Sequence, residues 1–289
     1  MNENARGVAL VTGASAGIGA ALAERLAADG RDLVIVARRR ERLEDLAARL
    51  RAESGAAVDV LVADLTEPDD VRRVEEHIRT EQRLDLLVNN AGFPGYGSFA
   101  ELDPGVADDL IDIHVRAPVR LTRAALPGMI ARGRGAIVNV ASLLAFSGPL
   151  QVPMADHAVY SGAKSFLVTF TQLLAGELEG TGVRAMVCTP GMVESEFHGL
   201  KRGGGHGMAI MSAGDVAQAI ASGLELGEVV CAPGLEDQGL FDRLRDAQQA
   251  TLGGARTADL AIRYQGQGGV RSGADLHGRR DRTTEGDSP

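Results

Sequence analysis

The sequence predicts an α/β chain: a doubly wound parallel sheet with helices on both faces. Three observations carry the prediction. Short apolar runs alternate with segments of helical periodicity along most of the chain. A glycine-rich turn joins the first run to the first helical segment. Polar residues collect just past the ends of the runs, where ligands bind in sheets of this kind.

Val8-Ala9-Leu10-Val11 reads as a buried parallel strand. It runs into Thr12-Gly13-Ala14-Ser15-Ala16-Gly17-Ile18-Gly19, and Ile18, Leu22 and Leu26 then repeat at helical spacing up to Gly30. A glycine turn at a helix N-terminus lets backbone N–H groups approach a pyrophosphate. The spacing is G-x-x-x-G-x-G, not the G-x-G-x-x-G of the common dinucleotide fingerprint. A tight strand-to-helix turn without a ligand is the plainer alternative.

Leu33-Val34-Ile35-Val36 is the second strand, and its tip carries Ala37, Arg38 and Arg39 with no acid. An acid there would bind the adenosine ribose of NAD; a guanidinium suits a 2′-phosphate. The expectation is NADP(H), although these arginines also open a helix with Leu43, Leu46 and Leu50 inward. Val58–Ala63 is the third strand, followed by Asp64-Leu65. Pro68 opens a helix with Val71, Val74 and Ile78 on one face. Leu84–Val88 is the fourth strand and leads into Asn89-Asn90-Ala91-Gly92. The loop from Phe93 to Asp103 lies on the same sheet edge.

Pro104 to about Ile130 reads as one long helical region with kinks or ends at Pro118 and Pro127. Ala136–Ala141 is the fifth strand, closed by Ser142, and an irregular segment runs from Leu143 to Val159. The next helix, ending near Leu178, carries Tyr160-x-x-x-Lys164. Positions i and i+4 share a helical face, so the phenol and the ammonium point the same way. A nearby ammonium favours the phenolate and fits Tyr160 for proton transfer near neutral pH. The chain has three Tyr and only two Lys, so the pairing is not a product of abundance, and an ordinary exposed helix pair is the plainer alternative. Val183–Cys188 is the sixth strand, followed by Thr189-Pro190-Gly191 and a glycine-rich substrate loop over about 192–212. Asp215–Leu226 is a helix, Glu228–Ala232 the last strand, and Leu240 to about Leu252 a further helix. The expected domain is 1–252, with 253–289 a polar extension too poor in apolar residues to fold.

Composition narrows the function. The net charge of -9 disfavours nucleic acid as a partner. No apolar run approaches membrane-spanning length, and Met1–Gly7 is polar, so a soluble cytoplasmic protein is expected. Cys188 and Cys231 stand apart without metal spacing, and His77, His198, His206 and His277 form no cluster, so no metal is expected.

Together these motifs resemble the short-chain dehydrogenase/reductase family from about Gly7 to Pro233. The matching stretches are Thr12-Gly13-x-x-x-Gly17-x-Gly19, Asp64-Leu65, Asn89-Asn90-Ala91-Gly92, Ser142, Tyr160-x-x-x-Lys164 and Pro190-Gly191. The resemblance implies a Rossmann fold with a seven-stranded parallel sheet. It implies hydride transfer between a nicotinamide and a carbonyl or alcohol carbon. Tyr160 would be the general acid/base, Lys164 the ribose ligand, and Ser142 the group orienting the substrate oxygen. Gly13, Ser15, Gly17, Ile18 and Gly19 would cradle the pyrophosphate. Asp64 and Leu65 would meet adenine, Asn90 the adenosine-side ribose, and Pro190, Val193 and Ser195 the nicotinamide side. Family members associate as dimers or tetramers through the two long helices.

Two departures stand out. The family has Asn in the long helix where this chain has His114, which leaves a proton-relay role and a packing role both open. The family also places Ser thirteen residues before Tyr; Ser147 keeps that count, whereas Ser142 lies eighteen before Tyr160. Strand logic favours Ser142, with the extra residues bulging over 151–157, where Asp156 and His157 either touch substrate or, more simply, are solvated loop residues. Phe93, Tyr96, Leu144, Phe146, Met154 and Phe197 would give an apolar pocket for a ligand of modest size. A cofactor-binding sensor with little turnover is the competing reading, and the intact Tyr160–Lys164 pair speaks against it.

Overall fold

The computed structural model describes residues 6–95, 97–148, 157–194 and 209–264. They divide into two compact units, the first ending at Leu235 and the second beginning at Glu236. The first holds seven strands: β1 (Val8–Thr12), β2 (Asp32–Ala37), β3 (Val58–Val62), β4 (Leu84–Asn89), β5 (Gly135–Val140), β6 (Val183–Cys188) and β7 (Val230–Cys231). They form one sheet in the order β3-β2-β1-β4-β5-β6-β7, and every neighbouring pair is parallel.

The apolar runs are continuous because both faces of the sheet are covered. Alternate side chains of β1 enter opposite cores: Ala9 and Val11 join Leu22, Leu43 and Val216, while Val8 and Leu10 join Val74, Leu121 and Leu174. Helices α1 (Gly17–Ala28), α2 (Arg40–Ser54) and α7 (Ala213–Leu226) cover the first face. Helices α3 (Pro68–Thr80), α5 (Ala117–Ala131) and α6 (Ala158–Glu177) cover the second. The chain reverses its winding between β1 and β4, which opens a crevice beyond their carboxyl ends.

The expected long helix after Pro104 is broken. Helix α4 (Pro104–Ile111), capped by the Asp103 carboxylate on the N–H groups of Gly105 and Val106, runs into a π-helical turn, Asp112–Arg116, before α5 begins. Pro118 has no N–H to return to the carbonyl of His114 four residues earlier, so the ordinary ladder cannot continue there. The widened turn carries His114. A 3-10 turn, Leu143–Phe146, interrupts the segment read as irregular, and the last strand is shorter than expected because only Val230 and Cys231 pair with β6.

The second unit holds helix α8 (Gly239–Gly254), none of whose side chains is buried, and a 3-10 turn, Ile262–Tyr264. Among the described residues no helix is long and apolar enough to cross a membrane, and no group of three or more His, Cys, Asp or Glu is placed to hold a metal.

Candidate active site

A cavity of about 440 Å³ opens over the carboxyl ends of the strands, lined from the glycine turn at one end to Tyr160 and Ser142 at the other. The turn is built by backbone demands. Gly13 and Gly17 have φ of +69° and +56°, where glycine is favoured. A Cβ at Gly19 would lie 2.4 Å from the Gly13 carbonyl oxygen, so this glycine lets α1 press against the turn. Gly19 is buried and does not line the cavity, whereas Gly13, Ser15, Gly17 and Ile18 do. No side chain caps α1 and its first turn holds no acid, which leaves the first N–H donors and the positive end of the helix dipole to a ligand. The Thr12 hydroxyl ties β1 to β4, accepting from the N–H groups of Asn90 (2.9 Å) and Ala91 (3.0 Å). Asn90 spends its amide on the Thr12 carbonyl (2.9 Å) while still lining the cleft.

Arg38 and Arg39 both reach this end of the cavity. Arg39 donates from Nε (3.0 Å) and Nη2 (2.8 Å) to the Ser15 hydroxyl. Arg38 stands 3.4 Å from the Asp64 carboxylate. Burial pushes the Asp64 carboxyl up, but hydrogen bonds from Thr66 and the Arg38 charge outweigh it and hold the group below its usual range. Leu65 lines the same wall.

At the other end Tyr160 (8 % exposed), Lys164 (4 %) and His114 (1 %) are packed together. Lys164 Nζ lies 5.5 Å from the centre of the Tyr160 ring and donates to the Val140 carbonyl at 2.8 Å. Burial brings the Lys164 ammonium down to about 7. His114 Nε2 lies 3.0 Å from the Phe93 carbonyl, which can only accept, so Nε2 carries the proton. Its Nδ1 is buried and unpartnered among the described residues. Burial and then the Lys164 charge hold the imidazole well below its ordinary range, so the ring is neutral at pH 7. Ser142 lines the cavity, and its Oγ accepts from the Leu144 N–H at 3.2 Å, which leaves the hydroxyl hydrogen for a ligand. Ser147 is not in the lining; its hydroxyl donates to the Leu144 carbonyl at 2.8 Å.

The short chain dehydrogenase family profile matches residues 7–203. The chain belongs to the short-chain dehydrogenase/reductase family. A Pseudocercospora fijiensis protein named Short chain dehydrogenase MYCFIDRAFT_6125 is 38 % identical over 194 residues, which span 65 % of this chain and 60 % of that one. The chain therefore matches less than two thirds of that relative's length. A solved short-chain dehydrogenase from Sphingobium yanoikuyae in complex with NADPH superposes with a TM-score of 0.82 at 37 % identity, over 89 % of this chain and 100 % of that one. The bulky-bulky ketone specific alcohol dehydrogenase from Comamonas testosteroni gives 0.81 at 32 % identity, over 90 % and 98 %. Members of this family are oxidoreductases that act on CH–OH or C=O groups with NAD(P).

Of the residues singled out from the sequence, the family cleft gathers Ser142, Tyr160, Lys164 and His114 with Arg38, Arg39, Asp64, Leu65, Asn90, Pro190 and Val193. Val193 is held by a β-bridge to Met211, with Glu194 N–H on the Met211 carbonyl at 2.8 Å, so the two ends of the 192–212 segment are tied together. Ser195, Tyr96, Met154, Asp156 and Phe197 lie outside the described residues. Phe93 lines the cleft as expected, but Leu144 and Phe146 do not; Phe146 packs on the cluster of Ala141, Leu167 and Val187. Pro94 and Ile113 supply apolar lining that sequence reading missed. Pro94 had a signal in its position in the loop after β4.

Proposed function

We propose that the protein is an NADP(H)-dependent reductase of ketones or aldehydes, reversible toward the alcohol, with Tyr160 as general acid and base. One observation carries the reading: a single cavity joins the glycine turn and the two arginines to Ser142, Tyr160 and Lys164. The residues fit the cofactor. The uncapped N-terminus of α1 suits a pyrophosphate, and Arg39 over the Ser15 hydroxyl suits a 2′-phosphate. The NADPH in the Sphingobium complex and the bulky-bulky ketone specificity of the Comamonas enzyme support the same assignment.

When bound, the nicotinamide supplies hydride to the carbonyl carbon. Ser142 holds the carbonyl oxygen with its spare hydroxyl hydrogen. Tyr160 gives that oxygen its proton as negative charge builds there. Lys164, fixed by the Val140 carbonyl, places a positive field beside the phenol and favours the phenolate left behind. Of the roles open to His114, the geometry supports packing: one nitrogen is committed to Phe93 and the ring is held neutral. Phe93, Pro94 and Ile113 give an apolar wall for the substrate. Exposed apolar side chains on both helices, Phe166 and Leu173 on α6 and Ile130 on α5, support association as a homodimer or homotetramer through them.

The reading is tested by following NADPH oxidation against a panel of ketones and aldehydes. Tyr160→Phe should keep NADPH affinity and lose turnover by about 100-fold or more; wild-type turnover in that variant would refute it.

A further inference from the structure

Helix α6 carries both Tyr160 and Lys164, so its setting on the sheet decides where the phenol and the ammonium stand. Two successive residues of β5 hold it. The Val140 carbonyl takes Lys164 Nζ at 2.8 Å. The Asn139 amide donates to the Thr171 hydroxyl at 2.8 Å. Thr171 lies about two turns beyond Lys164 on the same helical face, and both groups are buried.

The Asn139 contact is one link in a directed chain. Thr171 passes its own hydrogen to the Leu167 carbonyl at 2.7 Å. The Asn139 side-chain oxygen accepts from the Asn89 amide at 2.8 Å, and that amide also donates to the Thr122 hydroxyl at 3.2 Å. The chain thus ties β4 and β5 to α5 and α6 beneath the cleft. Asn139 and Thr171 are fully enclosed, where a lost partner leaves a donor that no water reaches. Apolar side chains alone would let α6 slide by fractions of a turn; this bond, with Lys164 on the Val140 carbonyl and the Ser165 hydroxyl on the Ala145 carbonyl at 2.6 Å, specifies one setting.

We propose that Asn139 and Thr171 are positioning residues that fix α6 on β5, and through it the places of Tyr160 and Lys164 in the cleft. The proposal rests on the assignment of those two residues above. Breaking this lower tie leaves that stretch of α6 on the Lys164–Val140 and Ser165–Ala145 contacts and lets Lys164 shift toward water. The titratable groups facing Lys164 are the Tyr160 phenol on its own helix and the His114 imidazole on the turn packed against it.

The sequence makes the test unusually direct, because Lys164 and Lys201 are the only lysines. Lysine labelled with ¹⁵N and ¹³C gives two side-chain signals, and Lys164 is assigned by comparison with Lys164→Met. Thr171→Val keeps the shape and removes the hydroxyl. It should raise the Lys164 titration midpoint by at least about 0.5 unit toward the ordinary lysine value. It should also lower kcat at least about fivefold with the NADPH KM held within about twofold. Thr171→Ser should restore both. A Lys164 signal that titrates as in the wild type in folded Thr171→Val overturns the proposal, as does a fall in melting temperature with kcat unchanged. Thr171→Cys, which keeps the size with a weaker acceptor, carries the same test should the valine variant not fold. The lysine titration needs no turnover, so an inactive wild type would sink the reductase reading and leave this result standing.

Discussion

The His114 imidazole stands edge-on to the Tyr160 phenol, ring centres 5.2 Å apart and planes at 90°. The same imidazole holds the Phe93 carbonyl through Nε2. One side chain thus braces the proposed acid and the loop beside it, and it does so as a neutral ring.

That neutrality has a signed consequence. The folded ring resists protonation, while the unfolded chain takes up a proton below about pH 6.5. Stability from this residue is present above that pH and is lost as pH falls toward the depressed folded value. Between pH 7 and 5.5 the wild type should lose about 1 kcal/mol that His114→Asn does not lose. Urea denaturation at the two pH values measures the difference.

Gly92 lies directly under the ring: a Cβ there would sit 2.2 Å from His114 Cε1. Gly92→Ala should destabilise the fold by about 1–3 kcal/mol. In combination with His114→Asn the cost should fall by at least about 0.5 kcal/mol, since the two residues compete for one space. A double-mutant cycle by chemical denaturation reads the coupling; strict additivity would separate them.

Lys164 gives the opposite test, of a site that opposes stability. Burial holds its ammonium at about 7, down from the ordinary lysine value of 10.5, so the folded state resists the proton the unfolded chain keeps. The penalty is full below pH 7 and fades toward pH 10.5. Lys164→Met should therefore stabilise the cofactor-free protein by about 1–3 kcal/mol at pH 6.5, with the gain shrinking as pH rises, while turnover is abolished. Thermal melts across pH settle it.

The Arg39–Ser15 contact should set cofactor choice. Arg39→Ala should weaken NADPH binding by about 10–100-fold and leave NADH within about twofold. Fluorescence titration of both cofactors checks this; equal losses would assign Arg39 to the fold alone.

Much of the fold was legible because parallel strands buried on both faces read as unbroken apolar runs, and because Gly13 and Pro68 sit where turns and helix starts require them. The reach of β7 was not legible: residues 228–232 look uniformly strand-like, and only pairing with β6 trims them to two. The break at His114 had a signal in Pro118, but choosing a π turn over a kink needs the neighbouring loop that the ring must meet. Asn139 sat in plain view as a polar residue within an apolar strand. Its partners Asn89 and Thr171 are distant in sequence, so the pattern along one strand could not name them. The preference for Ser142 over Ser147 followed from strand end rather than spacing; Ser142 lines the cleft and Ser147 does not.

Because every strand points the same way, the face bearing the amino ends of the strands looks away from the cofactor crevice. Gln82, exposed just ahead of β4, lies on that far face. Both native thiols, Cys188 and Cys231, are enclosed. A cysteine engineered at 82 is therefore a selective maleimide handle, and a bead or electrode coupled there would hold the catalyst with its mouth turned to solution.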